Sequence, residues 1–188
     1  MKPSFVSDTV KPCFFPASGD LALVLGLFRH GPAGKRDAKK FPNDDLRPLT
    51  PKGRKTVKHC AKGLKAMGFS PKHIFTSPVK RARETSELMR KVFGLPASAV
   101  KILRELRYDA APSRALKLLP GLRLRGHILL VGHEPWLGEF LSYLVAGRRS
   151  KSFPLRKAGF AAVGLDAPGP GQGRLLACIP PEILETLG

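Results

Sequence analysis

Acidic side chains are scarce in this chain: 14 Asp and Glu stand against 33 Lys and Arg, leaving a formal charge of +19. Such a surface attracts anions at long range, whether nucleic acid, an acidic membrane face or a phosphorylated substrate. Cysteine is nearly missing. Cys13, Cys60 and Cys178 form no CxxC pair, which argues against a disulfide framework or a cysteine zinc site and fits a reducing compartment. None of the five histidines belongs to an HExxH spacing. Aromatics make up only 7% and none interleaves a basic run, so nucleic acid is not an expected partner. No segment is long and apolar enough to span a membrane. Met1 to Ser18 carries Asp8, Lys11 and prolines and lacks the apolar core of a secretory signal. The expectation is a soluble cytoplasmic protein that requires no membrane.

What is present is patterned. At 188 residues and 43% hydrophobic, the chain suits one domain with a sizeable core. Residues 1–20 are aperiodic and are expected to be a loosely held extension, with Cys13-Phe14-Phe15 available to pack back. A single domain is expected over residues 21–188. Leu21 to Phe28 is an apolar run without polar alternation, as in a strand buried on both faces. His127 to Gly132 is a second such run, and Val100 to Leu106 is a third strand candidate. Amphipathic helical patterns lie between them. Thr50-Pro51 and Ser77-Pro78 each read as an N-cap followed by proline, and Ser113 as the cap of a short helix to Leu119. Another helix is expected from Glu134-Pro135. Ala158 to Leu165 and Gly173 to Ile179 read as two last strands, followed by a short helix from Pro181 to Leu187. The alternation implies an α/β three-layer sandwich: a mostly parallel central sheet with helices on both faces. The last two strands are placed to add an antiparallel edge.

In such sheets ligands bind beyond the carboxyl ends of the strands. Three of those ends carry chemistry here: Arg29-His30-Gly31, Ser77-Pro78 with Arg81 one turn further on, and Gly132-His133-Glu134-Pro135. Each is unremarkable alone, since strands often end in Gly-His and Ser-Pro starts are usually structural. Together, two arginines, two histidines and helix N-termini suit a tetrahedral, multiply charged oxyanion, and phosphate fits best.

These residues also resemble a known family. Phe28-Arg29-His30-Gly31 is similar to the RHG signature of the histidine phosphatase superfamily. Residues 47–53 (RPLTPKG) resemble its RPLTxxG segment, residues 76–85 (TSPVKRARET) its SPxxRAxxT segment, and residues 131–135 (VGHEP) its VGHxP. The resemblance covers roughly Leu21 to Gly188. The short length, with Glu105-Leu106 before a proline-containing segment, looks most like the SixA-type phosphohistidine phosphatases. The resemblance implies phosphoryl transfer through a covalent intermediate on His30. Arg29, Arg81 and His133 would bind the phosphoryl oxygens, with Gly31 and Ser77 at the substrate, and no metal or cofactor would be needed. Glu105 is the first candidate proton donor by order and Asp109 the second, while Asp44 and Asp45 lie in the loop after the nucleophile. The implied substrate bears phosphate, the leading version being an acidic protein phosphorylated on histidine. Two readings stay open beside it: a phosphomonoesterase for sugar phosphates or nucleotides, and a non-catalytic phosphate- or nucleic-acid-binding module.

Overall fold

The computed structural model describes Phe15 and residues 23–119 and 125–188. In chain order the elements are β1 (Leu23–Arg29), α1 (Pro51–Ala66), β2 (His73–Thr76) and α2 (Lys80–Phe93). Then come β3 (Val100–Ile102), α3 (Pro112–Leu118), β4 (Gly126–Gly132) and α4 (Trp136–Ala146). The chain finishes with β5 (Phe160–Leu165), β6 (Arg174–Ile179) and α5 (Pro181–Thr186). The strands form one six-stranded sheet in the order β3-β2-β4-β1-β5-β6. β3, β2, β4 and β1 run parallel, while β5 and β6 form the antiparallel edge.

The unbroken apolar runs exist because both faces of the sheet are covered. Leu23, Leu25 and Leu27 of β1 join Ile128 and Leu130 of β4 under α3 and α4. Val24 and Phe28 join Leu129 and Val131 under α1, α2 and α5. This is a three-layer α/β sandwich. Phe15 is buried edge-on against Phe69, Phe160 and His127. The rest of the expected extension, including Cys13 and Phe14, lies outside the described residues.

The Thr50-Pro51 start forms as expected: the Thr50 hydroxyl accepts from the Gly53 N–H, and Pro51 opens α1. Gly94 closes α2 at φ +71°, a conformation that favours glycine. Three expectations need correction. Ser77-Pro78 does not cap α2, which begins at Lys80; the Ser77 hydroxyl instead accepts from the Val79 N–H at 3.4 Å in a turn leading to the helix. Ser113 lies inside α3, because Pro112, with its fixed φ, takes the first position and Ala111 the cap. The strand expected to run to Leu106 stops at Ile102. There the Leu103 N–H bonds the Thr76 carbonyl, and Arg104–Leu106 winds into a 3-10 turn.

Candidate active site

β2, β4 and β1 are adjacent in the sheet, so their carboxyl ends share one crevice. Pairing continues a residue past the strands: the Ser77 N–H bonds the Val131 carbonyl at 3.0 Å and the His30 N–H the Gly132 carbonyl at 3.1 Å. Because Arg29 is paired with Gly132 in register, His30 and His133 emerge side by side. Their rings are 5.0 Å apart. Alternation along the strands directs both toward the layer containing α2. From that layer Arg81, the second residue of α2, brings its Nε to 3.2 Å from His30 Nε2. The Ser77 hydroxyl lies 2.9 Å from His133 Nε2. All four side chains are buried.

The hydrogen bonds fix the tautomer of His30. His30 Nδ1 lies 2.8 Å from the Gly31 carbonyl oxygen, which can only accept, so Nδ1 carries the proton. Nε2 is left with its lone pair, accepting from Arg81. At His133, Nε2 shares a hydrogen bond with the Ser77 hydroxyl, whose oxygen also accepts from the Val79 N–H. His133 Nδ1 is buried without a partner among the described residues. An unsatisfied buried ring nitrogen beside a guanidinium marks a place for an incoming ligand. Burial drives the His30 pKa down to about 3 against the bond to Gly31, with Arg81, Arg29 and Lys157 adding to the depression. Burial and then His30, Arg81, Arg29 and Arg107 take His133 to about 2. Both imidazoles are therefore neutral at neutral pH.

Arg29 does not join this chain of contacts. Its odd position in β1 directs it to the opposite layer, where Nη1 donates to the Leu155 carbonyl at 2.8 Å. Glu134 lies beside it and accepts from the Leu155 N–H at 3.0 Å. Burial raises the Glu134 pKa, opposed by that bond and by the Arg29 charge. Arg29, Glu134, Pro135, Lys151 and Pro154 line a cavity of about 370 Å³ on this side.

Gly31 donates its N–H to the Thr85 hydroxyl at 3.1 Å, and that hydroxyl donates to the Arg81 carbonyl at 2.7 Å. Thr85 thus ties the turn after His30 to α2. Its sequence signal is its place one turn after Arg81. The four acidic candidates separate clearly. Asp44 holds Arg81 Nη1 through its carboxylate at 3.2 Å and its backbone carbonyl at 3.0 Å, and also binds Arg47. Asp45 pairs with Arg107 at 2.6 Å and accepts from the Tyr108 hydroxyl. Asp109 is exposed and also bound to Arg107. The half-buried Glu105 has no hydrogen bond or ion pair among the described residues, none of the site histidines or arginines being bonded to it. Arg47 holds Asp44 well below the usual carboxylate range, and Arg107 does the same for Asp109. Tyr108 stands edge-on to His133 at 5.8 Å. Neither Arg107 nor Tyr108 is marked by sequence, because only the fold brings their turn against the loop of Asp45. Among the described residues no cluster of three or more His, Cys, Asp or Glu is arranged for a metal ion, and no helix is long and apolar enough to cross a membrane.

A crevice of paired neutral histidines flanked by buried arginine defines a class of oxyanion-handling proteins, and comparison with known proteins narrows it. The sequence model of the Histidine phosphatase superfamily (branch 1) matches residues 25–116. An uncharacterized protein of Picosynechococcus sp. is 35% identical over 149 residues, 73% of this chain and 82% of that protein. The solved protein histidine phosphatase SixA, complexed with tungstate, is 26% identical with a TM-score of 0.74, over 86% of this chain and 99% of that one. A putative phosphohistidine phosphatase SixA from Agrobacterium tumefaciens is 22% identical with a TM-score of 0.66, over 88% and 99% of the two chains. The chain belongs to the histidine phosphatase superfamily, in its SixA-like branch, and is a phosphatase acting on a phosphate-bearing substrate.

Proposed function

We propose that this phosphatase removes phosphoryl groups from phosphohistidine in a protein, through a phosphohistidine intermediate on His30. The observation that carries the chemistry is the bond from His30 Nδ1–H to the Gly31 carbonyl, which leaves Nε2 unprotonated and buried beside Arg81. The Nε2 lone pair forms a bond to phosphorus as the bond between phosphorus and the substrate ring nitrogen breaks, its electron pair returning to that ring. Arg81 and His133 bind the oxygens on which charge builds, with Arg29 adding positive field from the opposite layer. Water then attacks the phosphorus of phospho-His30, releasing phosphate and restoring Nε2.

The substrate class follows from the leaving group. Asp44, Asp45 and Asp109 are tied to arginines, and His133 is neutral. A phosphate ester leaves as an alkoxide unless an acid protonates it. Phosphohistidine protonated on its other ring nitrogen leaves as neutral imidazole and needs no donor from the enzyme. For that leaving group a proton from Glu105 or Asp109 is not required. Exposed Lys35, Lys39, Lys40 and Lys151, none ion-paired among the described residues, border the strand ends and suit an acidic protein partner.

A turnover comparison tests this. Without added metal, a phosphohistidine protein is expected to be hydrolysed at least tenfold faster, by kcat/KM, than a sugar phosphate or an aryl phosphate. His30→Ala is expected to abolish both turnover and the acid-labile 32P label. Preferential hydrolysis of the sugar phosphate would instead establish a small-molecule phosphomonoesterase. Phosphate binding without turnover of any substrate would establish a binding module.

A further inference from the structure

We propose that Lys157 is a further oxyanion-binding residue of the pocket, holding an outward oxygen of the phosphoryl group, and that the left-handed backbone of Ala158 positions it. This rests on the reading of the crevice as a phosphoryl-transfer site.

Ala158 is the only non-glycine residue at positive φ among the described residues, at +62°. A side chain there crowds the backbone, so the conformation persists only where its surroundings enforce it. The enforcement is visible. The Ala158 N–H is shared between the carbonyls of Arg29 at 3.1 Å and His30 at 3.2 Å, and the Arg29 N–H bonds the Gly159 carbonyl at 3.1 Å. Two residues before Lys157 the chain is anchored again, because Leu155 accepts from the Arg29 guanidinium and donates to Glu134. Lys157 therefore stands on a short span fixed at both ends to the backbone or side chain of the nucleophile turn. That is a built position, unlike those of the lysines scattered over the surface.

Its charge is also free. In the same loop Arg149 is paired with Glu139 and Arg156 with Glu182, whereas the exposed Lys157 has no ion pair among the described residues. With Arg81 and Arg29, it is one of the cations whose field reaches the His30 ring. The chemistry leaves room for it. Arg81 and His133 approach a phosphoryl group from within the fold, and its solvent-facing oxygen lacks a buried donor. A compact ammonium on a long stem suits that oxygen as a point charge, without the planar fit arginine demands.

The test uses the full-length protein with inorganic phosphate and tungstate as probes, together with kcat/KM on a phosphohistidine protein. Lys157→Met, which keeps the stem and removes the charge, is expected to weaken both anions about tenfold with an unchanged melting temperature. Lys157→Arg is expected to restore most of that loss, a rescue that a packing role would not give. Ala158→Gly should bind the anions like wild type, since glycine adopts the left-handed region freely. Ala158→Val should weaken them although Lys157 is intact. If Ala158→Val does not fold, the Lys157→Met and Lys157→Arg pair decides. Wild-type anion affinity in Lys157→Met overturns the proposal while leaving the phosphatase reading standing. Failure of the wild-type protein to bind either anion overturns both.

Discussion

Burial holds both His30 and His133 neutral, and that neutrality has a thermodynamic signature. In the unfolded chain both return to the ordinary value of 6.5, whereas the fold holds them at about 3 and about 2. As the pH falls below 6.5 the unfolded chain takes up these protons and the folded protein does not, so stability is lost progressively from 6.5 toward 3. By pH 5 each histidine is expected to cost about 2 kcal/mol, the free energy of protonating a free imidazole roughly 1.5 units below its pKa. Unfolding free energies measured in urea at pH 7.5 and pH 5 check this. His133→Gln should lose less stability across that range than wild type, and parallel losses would show that these imidazoles are not the groups responsible. Asp44 is also a residue-level constraint. It occupies Arg81 Nη1, so in the proposed reaction a phosphoryl oxygen reaching that nitrogen exchanges one anion for another.

Among the elements, the seam between the end of β1 and the start of α1 holds His30 in place. A Cβ on Gly53 would lie 1.9 Å from the Pro32 carbonyl oxygen, and one on Gly31 would lie 2.4 Å from Val57 Cγ2. The backbone of α1 is therefore in direct contact with the turn that follows His30. Thr50 reinforces the seam, with its N–H on the Pro32 carbonyl at 3.1 Å and its hydroxyl capping Gly53 at 2.9 Å. Gly53→Ala must push the helix off the turn, at an expected cost of about 1–3 kcal/mol. It should lower kcat/KM as well, because the displaced turn carries His30. Gly34→Ala, with nothing within 4 Å of the new methyl, is the control and should leave stability and turnover unchanged. Much of this arrangement is legible in the sequence. The two apolar runs ending at Arg29-His30 and Gly132-His133 imply strands buried on both faces, and Thr50-Pro51 announces α1. The sequence groups Arg29 with His30 in one pocket, whereas the strand's alternation turns the Arg29 guanidinium to the Leu155 carbonyl. What stays hidden depends on contacts between distant loops. No local pattern says that Asp45 pairs with Arg107 or that Ala158 bonds the carbonyls of Arg29 and His30, because loop closures have no periodicity to reveal them.

At the scale of the whole molecule the surplus of positive charge opposes folding. The outer face of α1 presents Lys52, Lys55, Lys58, Lys62 and Lys65, all exposed, and the helix contains no Asp or Glu. Like charges three and four residues apart destabilise a helix by about 0.2–0.5 kcal/mol a pair at low salt. The +19 net charge extends that repulsion over the surface. Raising sodium chloride from about 50 mM to about 500 mM shortens the screening length from roughly 14 Å to roughly 4 Å. The repulsion should fade faster than the few surface ion pairs weaken, so the melting temperature is expected to rise. Each kcal/mol recovered is worth about 2–4 °C in a chain of this size. Chloride is the appropriate anion, because phosphate bound in the crevice would stabilise the fold by mass action. Lys58→Glu, at the centre of the α1 face, should raise the low-salt melting temperature and flatten its salt dependence, since it replaces repulsion with i,i+4 attraction to Lys62. A melting temperature that falls with chloride in wild type would show that the surface ion pairs outweigh the excess charge.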